Sequence, residues 1–398
     1  MEIATGNSTH MDTTKAVSTA WSQIIDKLNH KPVLLLCNAS ANYSASALKK
    51  YLTERVPESC KVAASSSCLG AMNNSGYHST EGYGLGLIAF ADDGGDFGIS
   101  LLSQSDNPEL VAAQAIREAI NDADRPGELP DLVWMSAAPG SEEAVLDGIA
   151  SVIGRHVPVI GGSSADNTIS GEWWQFSRDS LETDGVLLIA MYPQCQIALS
   201  FHSGYTPTNH CGTVTRANGR IIEQINNQPA AEVYNNWTQG LVDTQLSGGN
   251  ILQVSTFQPL GREAGQIQNV PYYALLHPEQ ILDHGSIRLF AKVNTGDLLT
   301  LMSGSPDSLS HRAGSVASGI LQRQNWDGSQ IAGALVVYCA GCMLGIQTRM
   351  TEVASGLHNA LGHAPFHGMF TFGEQGCFID GINHHGNLMI SVVIFTQS

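Results

Sequence analysis

The feature that most constrains the fold is a run of secondary-structure elements that occurs twice in the same order. Each run predicts a helix, a strand, a second helix, a second strand, a short strand and a long apolar strand. Val133 corresponds to Val336, 203 residues later, Pro158 to Pro365, 207 later, and Val186 to Leu388, 202 later. The near-constant offset predicts a duplicated α/β unit with mixed sheets, and a ligand cleft where loops of the two halves meet.

The division of the chain follows from this repeat. Apolar residues at helical spacing over residues 13–28 predict an amphipathic helix, so residues 1–28 form an N-terminal segment. We expect a first domain over 29–225 and a second over 226–398, which gives two related α/β domains.

Charge and hydropathy exclude several classes of protein. The chain has 19 basic and 36 acidic residues and a net charge of −17, which argues against nucleic-acid or anionic-membrane binding. A near-apolar run, residues 333–346, is shorter than the roughly 20 residues of a membrane span. Residues 1–12 have no Lys or Arg, unlike a signal peptide, and eight irregularly spaced cysteines fit a reducing cytoplasm.

Local patterns predict the remaining elements. We expect an irregular lead-in over 1–12, a loop over 67–82, and a strand over 251–257. We also expect consecutive antiparallel strands at 173–177, 185–191 and 196–201, a helix over 341–361, and a hairpin of 366–372 with 376–380. His384 and His385 are expected in the turn before the final strand.

The strongest local chemistry is Cys339-Ala340-Gly341-Cys342, which follows a strand and opens a helix. Amide donors and the helix dipole at such a position lower a thiol pKa, because they favour the thiolate. The motif therefore predicts either a thiol–disulfide pair or two small residues that pack a strand–helix turn. A haem attachment site would need a His after Cys342, and a zinc site would need further ligands.

Two loops and several histidines are further candidates for binding. Gly162 and Ser163 follow one strand and Ser67 follows another, and both loops offer amide and hydroxyl donors or an ordinary tight turn. The sequence has 14 histidines, and His384 or His385 is our candidate for an iron ligand, although a structural role is more usual for any single histidine. No catalytic triad, carboxylate dyad or phosphate-transfer motif stands out, so the sequence favours a binding protein over an enzyme.

Several stretches together resemble the FIST family of bacterial sensory proteins. They are residues 156–166, residues 214–219 running on to 228–234, Val337-Tyr338-Cys339 followed by Glu352, and residues 368–376. The resemblance covers about residue 30 to the end. It departs from the family pattern at Cys342, where an Arg often stands.

The resemblance implies an intracellular sensor of small ligands, among which amino acids have been proposed. The chain is most similar to a standalone subgroup of haem-binding nitric-oxide sensors that act on a partner histidine kinase, upstream of cyclic-di-GMP signalling and biofilm control. We therefore expect a cytoplasmic sensor that binds haem b and nitric oxide and regulates a histidine kinase, with His384, His385 and Cys339 as candidate haem contacts. Self-association into a homo-oligomer stays open.

Two alternatives remain at this stage. One is a module for a small polar ligand such as an amino acid, in which Ser67, Gly162, Ser163 and Glu374 line the cleft. The other is a thiol–disulfide protein that uses Cys339 and Cys342.

Overall fold

The computed structural model describes residues 1–397, apart from the side chain of Ile267, and it contains one folding unit three times over. The first repeat comprises β1 (Glu2–Ser8), α1 (Thr13–Ile25), β2 (Leu34–Ala39), α2 (Ala45–Arg55), β3 (Lys61–Ser66), β4 (Ala71–Asn73), β5 (Gly76–His78) and β6 (Leu85–Ala91). The second comprises β7 (Asp96–Ser103), α3 (Pro108–Asp122), β8 (Leu132–Ala137), α4 (Glu142–Ile153), β9 (Val159–Ser163), β10 (Gln175–Ser177), β11 (Leu181–Glu182) and β12 (Gly185–Tyr192).

The third repeat is interrupted by an insert. It begins with β13 (Ile197–Ser203). The insert then follows as β14 (Thr206–Asn218), β15 (Ile221–Ile225), β16 (Gln228–Pro229), α5 (Ala230–Trp237), β17 (Gly249–Asn250), α6 (Leu252–Ser255), β18 (Leu260–Ile267), β19 (Val270–Leu276), β20 (Pro278–Ile281), β21 (Ile287–Leu289) and β22 (Leu298–Ser303). The repeat resumes with α7 (Pro306–Gln324), β23 (Ile331–Cys339), α8 (Ala340–Gly345), α9 (Met350–Ala360), β24 (Phe366–Thr371), β25 (Glu374–Cys377), β26 (Asn383–Gly386) and β27 (Met389–Thr396).

Each repeat forms most of one six-stranded sheet and contributes a short hairpin to the sheet of another repeat. The strand orders are β1-β6-β2-β3-β10-β11, β7-β12-β8-β9-β25-β26 and β13-β27-β23-β24-β4-β5. In every sheet the two central strands are parallel and their neighbours are antiparallel. Because the last two strands of each sheet come from a different repeat, the repeats are interlocked in a cycle.

Backbone hydrogen bonds between repeats follow the same cycle. The amide of Ala165 donates to Ser66 O over 3.2 Å, that of Phe372 to Ser163 O over 3.1 Å, and that of Cys68 to Phe370 O over 3.1 Å. These three bonds join each repeat to the next one in the cycle near the carboxyl ends of β3, β9 and β24.

The three sheets face one another and form what we call the three-sheet body. Apolar residues of all three inner faces share one core, which includes Leu36, Trp134 and Val337. The outer faces are covered by helices: α1 and α2 on the first sheet, α3 and α4 on the second, and α7 and α9 on the third. Strands buried on both faces read as nearly continuous apolar runs, which is why β2, β8 and β23 are mainly apolar, with Asn38 and Ser136 as buried polar residues near the ends of β2 and β8.

The predicted mixed α/β fold and internal repeat are confirmed. Val133 and Val336 lie on the equivalent strands β8 and β23, and Pro158 and Pro365 directly precede β9 and β24. The structure adds a third copy, residues 2–91, which the sequence comparison missed. No helix in residues 1–397 is both long and apolar enough to cross a membrane.

Several local predictions were wrong because pairing partners lie far away in the sequence. The lead-in over 1–12 contains β1, which pairs with β6, and the loop over 67–82 contains the β4–β5 hairpin. The expected consecutive strands β10, β12 and β13 belong to three different sheets. Likewise β24 and β25 form no hairpin with each other, because each lies in a different sheet.

Three further predictions failed locally. Residues 251–257 contain the short helix α6 rather than a strand, and the helix expected over 341–361 is broken between α8 and α9. His384 and His385 lie in strand β26 rather than in a turn.

Candidate functional site

A cavity lies at the carboxyl end of the parallel strands β23 and β24, between the three-sheet body and the insert. Its volume is about 560 Å³, within the usual range for small-molecule sites. Ligands of open α/β sheets bind outside the carboxyl ends of strands, which favours this position. A larger hollow of about 840 Å³ lies at the amino ends of β23 and β24, where Ala332 and Pro365 line it, and is more open to solvent.

Both parts of the protein contribute walls to the cavity. From the three-sheet body come Cys339, Gly341, Leu344, Gly345, Thr371, Phe372 and Asn387, with Ile169 from the loop after β9. From the insert come Leu252, Gln253, Thr256, Phe257, His277 and Phe290. A ligand held here therefore touches the body and the insert at once.

Asn387 and His277 join the two walls. The backbone amide of His277 donates to the side-chain oxygen Oδ1 of Asn387 over 3.3 Å. The backbone amide of Asn387 donates to Leu275 O over 2.9 Å. The first bond fixes the orientation of the side-chain amide, because only its oxygen can accept. Asn387 is 2% exposed, and its Nδ2 has no hydrogen-bond partner within residues 1–397. A buried donor without a partner at a cavity wall is a feature that a ligand acceptor would satisfy.

Thr371, Glu374 and Cys339 form a polar group beneath the cavity floor. Thr371 Oγ1 lies 2.7 Å from Glu374 Oε1, and the Met389 amide donates to Glu374 Oε2 over 3.0 Å. The Glu374 side chain also contacts the Cys339 thiol. Cys339 and Thr371 line the cavity, whereas Glu374 is fully buried behind them.

Burial sets the protonation of these groups. It raises the pKa of Glu374 well above its usual range, and the neighbouring Cys339 adds to that effect. Burial likewise raises the pKa of the Cys339 thiol, with Cys342 contributing. Burial lowers the pKa of His277 to about 4, although its contact with Leu252 O opposes the shift. At neutral pH the cavity wall therefore presents the Cys339 thiol and the neutral His277 imidazole, with the Glu374 carboxyl group behind them.

The motif at Cys339 and Cys342 does not behave as the sequence suggested. Both thiols are buried and reduced, and the effect of burial on Cys339 outweighs the amide donors that would stabilise its thiolate. The expectation of a lowered thiol pKa is therefore wrong, and the outcome counts against the thiol–disulfide alternative.

The four residues predicted to bind a polar ligand are all buried, and none is part of the cavity wall described above. Ser67 Oγ donates to Gly70 O and accepts from the Phe370 amide, and Ser163 Oγ donates to Glu142 Oε1. Gly162 packs against Thr371, because a Cβ on it would lie 2.3 Å from Thr371 Cγ2. Glu374 and Gly162 thus support Thr371, which does line the cavity. Ligand contact by the four residues stays a prediction.

The two histidines predicted as iron ligands lie outside this cavity. As neighbours in strand β26 they point to opposite faces of the sheet, so they cannot approach one iron together. His384 packs against Phe378 with ring centroids 5.1 Å apart, and His385 Nδ1 lies 3.1 Å from Gln375 Nε2. His385 is only 4% exposed. The role of each histidine as a haem ligand stays a prediction.

An ionic contact holds the insert against the second repeat. Arg220, between β14 and β15, lies 2.6 Å from Glu142 Oε2 and 2.8 Å from Glu143 Oε2. Burial opposes ionisation of Glu142, but His385 and Arg220 outweigh it and hold the pKa of Glu142 below its usual value. The same balance lowers the pKa of Glu143 to about 2. We call Arg220, Glu142 and Glu143 the insert clamp.

Sequence reasoning missed His277, Asn387 and the aromatic walls of the cavity. These residues lie far apart in the chain and belong to no recognisable motif. The sequence did single out two segments that line the cavity. Cys339 and Gly341 belong to the motif that ends at Cys342, and Thr371 and Phe372 fall inside the stretch 368–376.

The fold and the cavity define a mixed α/β protein with an interlocked body and a pocket that its insert completes. The chain belongs to the FIST family of sensory proteins: residues 33–228 match the FIST N domain and residues 230–377 match the FIST C domain.

Two individual proteins are also similar to parts or all of this chain. An uncharacterised protein of Methanocaldococcus jannaschii is 28% identical over 96 residues, which are 24% of this chain and 18% of that protein. The crystal structure of a cyanuric acid hydrolase from A. caulinodans aligns with 100% of this chain and 99% of that chain, at 10% identity and a TM-score of 0.38. Neither similarity is close enough to transfer an activity.

Proposed function

We propose that this protein is a sensor module that takes up a small ligand in the cavity between the three-sheet body and the insert. The observation that carries the proposal is Asn387, a buried side chain at the junction of the two parts whose Nδ2 lacks a partner in the described chain. Membership of a sensory family supports the same conclusion.

Ligand binding would act by changing how the insert sits on the body. The cavity walls come from both parts, so a ligand that fits one arrangement better shifts the population toward it. The insert clamp is a second contact between the same parts, and its strength sets how far the equilibrium can move.

We propose binding without catalysis. His277 Nε2 lies 3.0 Å from Leu252 O, so this ring nitrogen is engaged by the backbone rather than by the Cys339 thiol. The raised pKa of Cys339 leaves it a weak nucleophile at neutral pH. The arrangement therefore lacks the activated thiol that a Cys–His mechanism requires.

A fragment screen with a blocked variant tests the function. Leu344 lines the cavity and is 44% exposed, so Leu344→Trp fills the mouth without disturbing the core. Leu110→Trp, at an exposed site on α3, is the matched control. We expect fragments that raise the melting temperature of the wild type and of Leu110→Trp, but not of Leu344→Trp. Hits that stabilise all three proteins equally would contradict the proposal.

The finer expectation, a haem-dependent nitric-oxide sensor that regulates a histidine kinase, is supported only by the family resemblance. It is tested by the absorption spectrum of the protein reconstituted with haem, with and without nitric oxide. A Soret band that His384→Ala or His385→Ala abolishes would support it. A spectrum without that band would contradict the haem hypothesis and would not affect the small-ligand proposal.

A further inference from the structure

We infer that the ligand is an uncharged molecule with a flat apolar body and a hydrogen-bond acceptor directed at Asn387. This inference rests on the proposed function and specifies the class of ligand. It departs from the expectation of a zwitterionic amino acid.

The first argument is the absence of charge in the walls. Among the described residues that line the cavity there is no Lys, Arg, Asp or Glu. The one titratable ring, His277, is 3% exposed and neutral at physiological pH. A zwitterion would bury an ammonium and a carboxylate here without any partner of opposite charge, which is strongly unfavourable.

The second argument is the polarity of the hydrogen-bonding groups. Asn387 Nδ2 can only donate, and the contact of Asn387 Oδ1 with the His277 amide prevents the side chain from turning over. Asn387 therefore selects a carbonyl or another acceptor on the ligand.

Thr371 supplies a second polar group next to it. Thr371 Oγ1 donates to Glu374 Oε1 over 2.7 Å, which leaves lone pairs of the hydroxyl oxygen to accept from a ligand, such as the N–H of an amide. The fully buried Glu374 carboxyl group therefore sets the direction of the hydroxyl without itself touching the ligand.

The third argument is the shape and chemistry of the remaining walls. Phe257 and Phe290 come from the insert and Phe372 from the body, so aromatic rings are contributed by both parts. Leu344 adds an aliphatic contact at the mouth. Rings of this kind favour stacking or edge contacts with a planar ligand, which adds to the gain from apolar burial.

A matched set of probes tests the inference. We would measure binding of 2-naphthamide, 2-naphthoate and phenylalanine by calorimetry to the full chain. The amide is neutral and carries a carbonyl acceptor, the acid has the same ring system with a negative charge, and phenylalanine is a zwitterion. We expect the amide to bind at least tenfold more tightly than either charged probe.

Two variants locate the contact. Asn387→Asp keeps the oxygen that accepts from the His277 amide but removes the donor, so amide binding should fall at least tenfold. Asn236→Asp, an exposed site on α5, is the matched control and should bind like the wild type. If Asn387→Asp fails to fold, Thr371→Val removes the second polar group at nearly constant volume and should weaken binding of the amide.

The outcomes separate the ligand class from the function. If 2-naphthoate or phenylalanine binds as tightly as the amide and Leu344→Trp blocks it, the ligand class is wrong but the cavity function stands. If none of the three probes binds, the ligand class is also overturned. If binding occurs but Leu344→Trp and Asn387→Asp leave it unchanged, both the ligand class and the proposed function fail.

Discussion

Glu374 in the third repeat occupies the position that Gln175 holds in the second. Gln175 Oε1 accepts from the Gly185 amide and its Nε2 donates to Ser164 Oγ, over 3.0 and 2.8 Å. Glu374 makes the corresponding contacts with the Met389 amide and Thr371 Oγ1, over 3.0 and 2.7 Å. The third repeat thus has a carboxyl group at the position where the second has a side-chain amide. Like that amide, the carboxyl group can both accept and donate a hydrogen bond only when it is protonated.

The first prediction concerns Glu374→Gln. Because the folded-state pKa of Glu374 is raised, the folded protein binds this proton more tightly than the unfolded chain does. The stabilisation that this bound proton provides is fully present below the pKa of Glu374 in the unfolded chain. It is lost as the pH rises toward the pKa of Glu374 in the folded protein. The glutamine variant should therefore melt several degrees higher than the wild type at pH 8, and close to it at pH 4.

The control for this prediction is the reverse change, Gln175→Glu. It places a carboxyl group at the equivalent buried site and should lower the melting temperature at pH 8. Calorimetry at both pH values measures each effect. A glutamine variant that is less stable than the wild type at pH 8 would show that Glu374 is ionised in the folded protein.

The second prediction concerns the insert clamp. Arg220→Met leaves Glu142, whose side chain is 2% exposed, without its cationic partner. Loss of one partner of a buried ion pair typically costs about 3–5 kcal/mol, and we expect a loss of that order in the free energy of unfolding. Denaturant titration measures it.

The matched control lies on the neighbouring strand. Arg216 pairs with Glu223 and its side chain is 63% exposed, so Arg216→Met should cost less than about 1 kcal/mol. Equal losses in the two variants would mean that the clamp contributes no more than a surface pair.

Much of the helical structure could be predicted because its signals are local. Asn107 caps α3 ahead of Pro108, and Ser305 caps α7 ahead of Pro306, as their sequences indicate. The exchanged hairpins could not be predicted in this way. Strand β4 pairs with β24, almost 300 positions later, and nothing in so short a segment indicates such a distant partner. The same reason explains why β24 and β25 were mistaken for a hairpin.

The site shows the same division. Cys339 was noticed because the spacing to Cys342 is itself a motif, yet its raised pKa depends on burial that the motif does not reveal. Asn387 and His277 are 110 positions apart and meet only because β19 of the insert packs beside β26. Cavities formed by an insert and a body carry no short sequence signature.

The third prediction concerns thiol reactivity. Burial raises the pKa of Cys339, so the thiolate is scarce at pH 8 and alkylation of the native protein should be slow. Cys211 is exposed and serves as the internal reference within the same sample. Peptide mass spectrometry after timed treatment with iodoacetamide should find Cys211 modified long before Cys339. Equal rates of alkylation at Cys211 and Cys339 would support the thiol–disulfide alternative.

The fourth prediction concerns stability in mild acid. Burial lowers the pKa of His367 to about 3 and that of His277 to about 4, whereas an unfolded histidine titrates near 6.5. The unfolded chain therefore binds more protons over this interval, and stability falls as the pH drops from about 6.5 toward the folded values. Each fully buried ring contributes a loss on the order of 3 kcal/mol.

Replacing His367 isolates its share of that loss. His367 Nε2 lies 2.7 Å from Asn38 Oδ1, so His367→Gln keeps a donor for the asparagine and removes the titration. The variant should lose stability less steeply than the wild type between pH 6.5 and 4 in denaturant titrations. His156→Gln, at an exposed site, should retain the full slope. Because His367 joins the first and third sheets through Asn38, an unchanged slope in His367→Gln would mean that this contact opens before the ring is protonated.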